Sequence, residues 1–328
     1  MSEKPAILVA RGIFPEVLEH LQQYFDVSSN QGDEILAPEQ LIERLRGKAG
    51  AMITGSERID AQLLAACPQL KAVCNIAVGY NNIDVPACTA RGVLATNTPD
   101  VLTETTADFG FALMMAAARR MSEAERSLRR GEWTRWSLDM FAGAEVHGST
   151  LGILGMGRIG RAIARRGALG FGMKVIYHNR SRLAPELEVE VGARYVDKAT
   201  LLREADHLVI VLPYSPEAHH TIAAAELKQM KRSATLTNIA RGGVVDDVAL
   251  AEALRARTIA AAGLDVFEGE PQLHPGLLDL PNVVLTPHIA SATMGTRLAM
   301  AQLAADNLIA ALSGGKPPTP LNPQVLKD

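Results

Sequence analysis

The stretch Leu151-Gly152-Ile153-Leu154-Gly155-Met156-Gly157-Arg158-Ile159-Gly160 decides the fold of this 328-residue chain. A short apolar run, typical of a buried strand, leads directly into G-x-G-x-x-G, and residues 161–168 then have a helical pattern. The first glycine of such a turn allows a tight bend, the second lets a pyrophosphate approach the backbone, and the third lets helix and strand pack closely. The alternative is a turn that only joins a strand to a helix. In this context we predict a dinucleotide site, with candidate cofactor-binding residues Gly155, Gly157, Arg158, Ile159 and Gly160.

Short β-branched runs alternate with longer helical patterns on both sides of this turn, which predicts an α/β fold with parallel sheets. Strands are predicted at 6–10, 51–54, 72–76 and 93–95, and six more at 151–154, 174–177, 207–212, 234–238, 263–266 and 283–286. One helical pattern, over 103–128, is too long for an ordinary crossover, and Thr98-Pro99 before it indicates a domain boundary. A last helix, over 293–312, is predicted to cross back to the first domain.

Composition and charge exclude several classes of protein. Hydrophobic residues make up 48% and charged residues 21%, which is usual for globular chains. The formal charge of −3 offers no attraction for nucleic acid or an anionic membrane surface, and no run of about 18 apolar residues predicts a membrane span. No secretory signal is recognised, and Cys67, Cys74 and Cys88 have no C-x-x-C spacing, so a cytoplasmic protein without disulfides or a cysteine zinc site is expected.

The strand after the glycine turn ends at His178-Asn179-Arg180-Ser181. An NAD-binding fold would place an acid here to bind the ribose 2′-hydroxyl, and none is present. Arg180, with Ser181 and Arg182, instead offers donors suited to a 2′-phosphate. We therefore predict that NADPH is preferred to NADH and that Asn179, Arg180 and Ser181 bind the cofactor, the alternative being solvated loop arginines.

Arg241, Glu270 and His288 each follow a strand of the second sheet, at the carboxyl edge where open α/β sheets bind ligands. Arg241 precedes Gly242-Gly243, where backbone could approach a ligand, and its fork suits a carboxylate. His288 can hold and release a proton near neutral pH, and Glu270 could hydrogen-bond it and keep it charged until the proton is donated. A structural arginine or histidine is the alternative. Glu268 is interpreted as a solvated carboxylate, and the remaining histidines as structural or loop residues: His20, His147, His178, His207, His219, His220 and His274.

Taken in order, these motifs resemble the D-isomer-specific 2-hydroxyacid dehydrogenases over nearly the whole chain. The resemblance rests on Gly155–Gly160, Asn238-Ile239-Ala240-Arg241-Gly242, Gly263-Leu264-Asp265-Val266-Phe267-Glu268-Gly269-Glu270-Pro271 and Pro287-His288-Ile289. Tyr177…Arg180 and Gly131-Glu132-Trp133-Thr134 are most similar to the bacterial glyoxylate/hydroxypyruvate reductases that also act as 2-ketogluconate reductases.

The resemblance implies two Rossmann-like or flavodoxin-like domains with an active-site cleft between them. Residues 1–99 plus 291–328 would form the substrate-binding domain, and 100–290 the NAD(P)-binding domain with a dimerisation helix at 103–128. It implies catalytic roles for Arg241, Glu270 and His288, and substrate binding by the backbone of Val78 and Gly79 together with Arg241 and His288. It adds to the cofactor-binding set Leu212, Pro213, Ile239, Ala240, Asp265 and Ala290. Ala290 departs from the glycine of many relatives, and no metal is needed.

The sequence thus predicts an NADPH-dependent reductase of small 2-oxo acids such as glyoxylate, hydroxypyruvate and 2-ketogluconate, with NADH as a weaker cofactor. We expect a homodimer without nucleic-acid or membrane partners. Trp136 and its loop are expected to favour hydroxylated acids over pyruvate, unless they only anchor the dimer. The alternatives are an NAD-dependent dehydrogenase for another 2-hydroxy acid and a nucleotide-sensing protein similar to the corepressors built on this fold.

Overall fold

The computed structural model describes residues 4–326 and divides into two compact units. Within the described residues, the first unit takes those up to Leu102 and those from Thr293 onward, and the second unit is Thr103–Ala292. The predicted boundaries lay at 99/100 and 290/291. Each unit has its own parallel sheet covered by helices, so the predicted α/β fold class is confirmed.

The first unit has a five-stranded parallel sheet of order β2-β1-β3-β4-β5, the flavodoxin-like arrangement. Its strands are β1 (Ala6–Val9), β2 (Asp26–Ser29), β3 (Gly50–Ile53), β4 (Ala72–Asn75) and β5 (Leu94–Thr96). Its first helices are α1 (Pro15–Tyr24), α2 (Pro38–Leu45), α3 (Ala61–Ala66) and α4 (Val85–Ala90). The sequence predicted four strands and missed β2, because this polar edge strand has no buried residue.

The second unit has a seven-stranded parallel sheet of order β12-β11-β10-β9-β6-β7-β8. Its strands are β6 (Thr150–Leu154), β7 (Lys174–His178), β8 (Arg194–Tyr195), β9 (His207–Ile210), β10 (Thr235–Asn238), β11 (Ala261–Leu264) and β12 (Val283–Leu285). Its helices are α5 (Thr103–Ala118), α6 (Met121–Arg129), α7 (Arg158–Arg165), α8 (Pro185–Val191), α9 (Lys198–Glu204), α10 (Ala224–Leu227) and α11 (Asp247–Arg255). The sequence predicted six of these strands and missed β8, which has two residues and lies at the edge of the sheet. The strand order reverses between β6 and β9, the switch point at which such sheets bind ligands.

The single helix predicted over 103–128 is wrong, because the chain breaks it into α5 and α6. Arg120 adopts a left-handed backbone with φ 54°, which an α-helix does not allow. The last carbonyl of α5, at Ala118, accepts a hydrogen bond from the amide of Ala144 at 2.8 Å, so a distant segment closes the end of the helix. The apolar periodicity continues through the break, which is why the sequence did not show it.

The last helix, α12 (Met294–Leu312), returns to the first unit as predicted. Its residues Ala301, Ala304 and Leu308 share a core cluster with Ile7 and Val9 of β1. A Cβ on Gly50 would lie 2.7 Å from a methyl of Leu308, so a small residue there lets α12 approach β3 closely. Among residues 4–326, no helix combines the length and apolar character needed to cross a bilayer.

Candidate active site

The three glycines of the turn between β6 and α7 have different surroundings. Gly155 has φ +104°, and a Cβ there would lie 2.8 Å from the backbone of Val211. A Cβ on Gly160 would overlap the carbonyl of Gly155. A Cβ on Gly157 would meet no described atom within 4 Å. The protein itself therefore requires the first and third glycines, whereas the second leaves open space in front of a helix N-terminus, which fits a pyrophosphate.

Asn179 supports this turn, since its Oδ1 accepts a hydrogen bond from the amide of Met156 at 2.6 Å. Arg182 is not available for a phosphate, because it binds Glu188 through two hydrogen bonds of 2.8 and 2.7 Å. The Tyr177 hydroxyl also donates to Glu188, at 2.6 Å. The Arg182 guanidinium and this hydroxyl hold the pKa of Glu188 at about 2, whereas burial and then Glu188 raise the pKa of Tyr177 to about 12.

Arg180 remains exposed, and within residues 4–326 its side chain makes no hydrogen bond or ion pair. Its charge acts on Glu217, whose pKa is lowered chiefly by a hydrogen bond from its own backbone and by Ser215, with a smaller effect of Arg180. Ser181 is exposed as well. The sequence suggested Arg180 and Arg182 as donors for a 2′-phosphate. Arg182 is bound to Glu188, so Arg180 is the remaining candidate.

His288 and Glu270 form the hydrogen bond that the sequence predicted, with Nδ1 of the imidazole 2.8 Å from Oε2 of the carboxylate. The other oxygen of Glu270 accepts from the amide of Phe267, also at 2.8 Å. Burial alone would raise the pKa of Glu270, but these two hydrogen bonds and the charges of His288 and Arg241 lower it overall. The carboxylate is therefore ionised at neutral pH and fixes the imidazole through Nδ1, which leaves Nε2 to exchange a proton with a ligand.

Asp265, which follows β11, holds the loop that carries His288. The residue is 1% exposed, and its carboxylate accepts hydrogen bonds from the amides of Ile289 and Ala290 and from the hydroxyl of Thr286, at 2.7 to 2.9 Å. Its carbonyl accepts from the amide of His288 at 2.9 Å. Burial raises the pKa of Asp265, although these donors oppose that rise. The loop needs this support because His288 has a left-handed backbone, with φ 52°, which is strained for a non-glycine residue.

Arg241 lies on the turn after β10, and Gly242 brings this turn against the segment that carries Glu270. A Cβ on Gly242 would overlap the carbonyl of Phe267, so glycine is required here for the close contact of the two backbone segments. The Arg241 side chain is half-buried and donates to the carbonyl of Ala240 at 2.7 Å. Burial lowers the pKa of Arg241 and the charge of Glu270 opposes this, and the guanidinium remains charged.

The remaining candidate cofactor residues also lie at carboxyl ends of strands in the second sheet. Ile239, Ala240 and Ala290 are buried, Ile159 and Leu212 are half-buried, and Arg158 and Pro213 are exposed. The structure thus brings candidate residues to one edge, after β6, β7, β9, β10, β11 and β12. The glycine turn and Arg180 lie at one side of the switch point, and Arg241, Glu270 and His288 at the other.

The first unit positions Val78 and Gly79 on the loop after β4. Three consecutive carbonyls of this loop are bound: that of Ala77 by the amide of Thr98 at 2.9 Å, that of Val78 by Asn97 Nδ2 at 2.7 Å, and that of Gly79 by Asn75 Nδ2 at 2.9 Å. The amides of Val78 and Gly79 have no protein acceptor among the described residues. Successive unpaired amides bind anions. The sequence did not single out Asn75 and Asn97, whose only signal is a polar residue at the end of a buried strand.

Comparisons with known proteins agree with this architecture. The family model for the NAD binding domain of D-isomer specific 2-hydroxyacid dehydrogenases matches residues 111–290. Glyoxylate reductase of Thermococcus onnurineus is 49% identical over 327 residues, which covers 98% of this chain and 97% of the relative. The crystal structure of the NADPH-dependent glyoxylate/hydroxypyruvate reductase of Sinorhizobium meliloti, in complex with NADP and malonate, has a TM-score of 0.86 at 36% identity and covers 99% of both chains. A glyoxylate reductase from Paecilomyes thermophila has a TM-score of 0.88 at 34% identity, covering 99% of this chain and 100% of its own.

Two α/β units and the residues gathered at one sheet edge define an oxidoreductase that depends on a nicotinamide cofactor. The chain belongs to the D-isomer specific 2-hydroxyacid dehydrogenase family. The resemblance read from the sequence motifs is thereby confirmed.

Proposed function

We propose that this chain is an NADPH-dependent reductase that converts small 2-oxo acids, such as glyoxylate, hydroxypyruvate and 2-ketogluconate, to D-2-hydroxy acids. The observation that carries the proposal is the His288–Glu270 pair, joined at 2.8 Å beside a charged Arg241 at the ligand-binding edge of a dinucleotide-type sheet. The glyoxylate reductases that align over nearly the whole chain support this substrate class.

Each residue of the site has a separate role in the proposed reaction. A bound nicotinamide supplies the hydride for the carbonyl carbon. His288 donates a proton from Nε2 to the carbonyl oxygen, because its Nδ1 is engaged by Glu270. Glu270 stays ionised, holds the ring and stabilises its charged form until the proton leaves. In the second unit Arg241 supplies a cation for a carboxylate, and in the first unit the amides of Val78 and Gly79 supply anion-binding donors.

The dinucleotide would be held by the turn from Gly155 to Gly160 and by the neighbouring strand ends, which carry Leu212, Pro213, Ile239, Ala240 and Ala290. Asp265 uses three of about four acceptor positions on its own loop, which leaves one for the carboxamide of the nicotinamide. Gly157→Ala should weaken binding of both coenzymes, because the added methyl would occupy the open space in front of α7.

The preference for NADPH rests on Arg180, which is exposed and has no hydrogen-bonded or ion-paired partner within residues 4–326. Arg180→Ala should weaken NADPH but not NADH, by about 1–3 kcal/mol for the loss of a charge-assisted bond. Arg182→Ala is the matched control, because it removes the same charge from a side chain already bound to Glu188. Equal losses for both coenzymes in Arg180→Ala would refute the preference.

The decisive test follows oxidation of NADPH and NADH by absorbance with a panel of 2-oxo acids. We expect turnover with glyoxylate and hydroxypyruvate, and His288→Gln should lower kcat by about 100-fold or more with coenzyme affinity unchanged. His147→Gln, which removes an exposed histidine elsewhere in the second unit, should have no effect. Coenzyme binding without turnover on any acid would instead indicate a nucleotide sensor.

A homodimer is part of the proposal, supported by exposed apolar side chains that follow one another from α6 onward. Trp136 is 70% and Leu138 89% exposed, and Met121, Leu128 and Trp133 are exposed as well. Several large exposed apolar side chains close together in sequence are consistent with an interaction site. Light scattering should give twice the chain mass.

Trp136→Ala tests whether this loop also contacts the hydroxyl groups of the substrate. If it does, the variant should have a smaller preference for hydroxypyruvate over pyruvate than the wild type.

We also propose a cytoplasmic location. Cys67, Cys74 and Cys88 are all buried as free thiols, which suits a reducing compartment.

A further inference from the structure

Two adjacent histidines and a glutamate meet in the second unit, beyond the residues assigned to the proposed reaction. His219 and His220 lie on the segment after β9, and Glu268 on the segment after β11. One possible ligand atom from each lies within 4.8 Å of the others. The sequence interpretation treated the histidines as structural and Glu268 as a solvated carboxylate, and 48 residues separate His220 from Glu268.

The distances are close to those of a metal centre. Nε2 of His220 lies 2.9 Å from one oxygen of Glu268, and Nε2 of His219 lies 3.8 Å from the other. A tetrahedral zinc ion bound at about 2.1 Å holds its ligand atoms roughly 3.4 Å apart. Seating an ion therefore takes two adjustments: the two distances change by about half an ångström, and the imidazoles, which are stacked with centroids 3.8 Å apart, rotate so that both Nε2 atoms face the ion. The side chains can make them, because His219, His220 and Glu268 are 40%, 35% and 45% exposed.

The opposite nitrogens of both rings face a second layer of polar groups. Nδ1 of His219 is 3.2 Å from the hydroxyl of Tyr214, and Nδ1 of His220 is 3.9 Å from a carboxylate oxygen of Asp246. Metal-binding histidines commonly contact such polar groups through the nitrogen that does not bind the ion. Nε2 of both rings faces Glu268, and an ion bound there would replace the proton that His220 Nε2 shares with the carboxylate at 2.9 Å.

The backbone fixes the starting points of these side chains. The amide of His220 donates to the carbonyl of Gly243 at 2.7 Å, and the amide of Glu268 donates to Asp247 at 3.0 Å. Gly243 has φ +77°, and a Cβ there would lie 3.2 Å from Nδ1 of His219. Both ligand-bearing segments are therefore anchored to the turn from Gly243 to Asp247, so little order has to be created when an ion binds.

We propose that His219, His220 and Glu268 bind a divalent transition-metal ion of the Zn²⁺ or Co²⁺ type. Two imidazoles and one carboxylate are a common ligand set for zinc, and the exposed position leaves a fourth place for water. The site links the segment after β9 to the segment after β11, and it does not depend on the proposed reaction. It revises the expectation that the chain has no metal site.

The experiment uses the full-length chain without an affinity tag, freed of metals by a chelator. Titration with Co²⁺ should give the visible absorption of a four-coordinate ion, with one ion per chain, and Zn²⁺ should abolish that absorption by displacement. Calorimetric titration with Zn²⁺ should give the same stoichiometry. Because an ion that binds the folded chain stabilises it, Zn²⁺ should also raise the thermal midpoint.

Variants assign the ligands. His219→Ala, His220→Ala and Glu268→Gln should each raise the Kd for Zn²⁺ by more than about tenfold, and Tyr214→Phe by a smaller factor. His147→Ala should leave the Kd unchanged. Circular dichroism of each variant checks that the chain remains folded, and Tyr214→Phe tests the site without removing a ligand. Wild-type affinity in the folded His220→Ala and Glu268→Gln variants, or the lack of stoichiometric binding in the wild type, would overturn the proposal.

Discussion

The two units hold their candidate binding loops with different chemistry. In the first unit, neutral amides of Asn75 and Asn97 bind the carbonyls of the loop around Val78. In the second unit, the carboxylates of Asp265 and Glu270 bind the amides and the imidazole around His288. An amide support carries no charge and does not titrate, so it only places donors. A carboxylate support places its loop and also sets the electrostatic environment of the group that exchanges a proton.

Replacing Asp265 by alanine should have the largest effect. The change leaves the amides of Ile289 and Ala290 without their acceptor, and His288 loses the support of its strained backbone. We expect kcat to fall by roughly 100-fold, as misplacement of a reacting group does, and the free energy of unfolding to fall by about 1–3 kcal/mol. Steady-state kinetics and urea denaturation measure the two effects.

Asp197→Ala is the matched control for this variant. Asp197 caps α9 through the amide and the hydroxyl of Thr200, so its loss should cost about 1 kcal/mol of stability with kcat unchanged. If both aspartate variants had the same kcat, Asp265 would be a structural residue only.

Asn75→Ala and Asn97→Ala should have a smaller and different effect. Each frees one carbonyl of the loop around Val78, so the unpaired amides lose their orientation toward an anion. We expect KM for the 2-oxo acid to rise about fivefold, with kcat and its pH dependence unchanged, since one hydrogen bond contributes about 1 kcal/mol. Asn30→Ala is the control, because Asn30 also binds two carbonyls in the first unit but lies outside this loop. A fall in kcat at constant KM would contradict the assignment.

Glu270→Gln removes the charge of the carboxylate that supports His288, and its effect is measured as a function of pH. This variant should have the smallest effect on stability. Because the folded protein lowers the pKa of Glu270, the ionised group stabilises the fold above its ordinary pKa of 4.5, and this contribution is lost as the pH falls through the lowered value. The variant should therefore lose less stability in acid than the wild type, by below about 1 kcal/mol. Its reduction activity should also fall, because an amide no longer stabilises the imidazolium that donates the proton.

Chemical denaturation of the wild type and the Glu270→Gln variant, between neutral pH and pH 3, measures this difference in stability. Glu252→Gln is the control, because Glu252 is exposed on α11. Identical acid limbs for Glu270→Gln and the wild type would show that Glu270 does not stabilise the fold by its charge.

The sequence predicted most of the fold because buried parallel strands are short apolar runs between turn residues. It failed where that signal is absent. Strand β2 is polar at the edge of its sheet, and β8 has only two residues. The break at Arg120 could not be predicted, because the segment around Ala144 that closes α5 is distant in sequence and the apolar periodicity continues.

Within the candidate site, the sequence predicted the residues that follow strands, and the contact between His288 and Glu270 is confirmed. It did not predict what supports them. Asn97 donates a hydrogen bond to Val78, which lies 19 residues earlier, and Arg182 is bound by a glutamate on the following helix. Such partners become visible only when the chain is folded, because side-chain hydrogen bonds between loops have no periodic signature.

The return of the chain to the first unit determines the order in which the protein can be completed during synthesis. The hydroxyl of Thr319 donates to the carbonyl of Asn97 at 2.6 Å, and Asn322 binds the backbone of Val93 and Ala95 along β5. The second unit is continuous in sequence and can fold as a unit while translation proceeds. The first unit, although its strands are made earlier, lacks α12 and these contacts until residues 294–322 leave the ribosome. A nascent chain therefore carries a finished nucleotide-type domain before it carries a finished anion-binding loop.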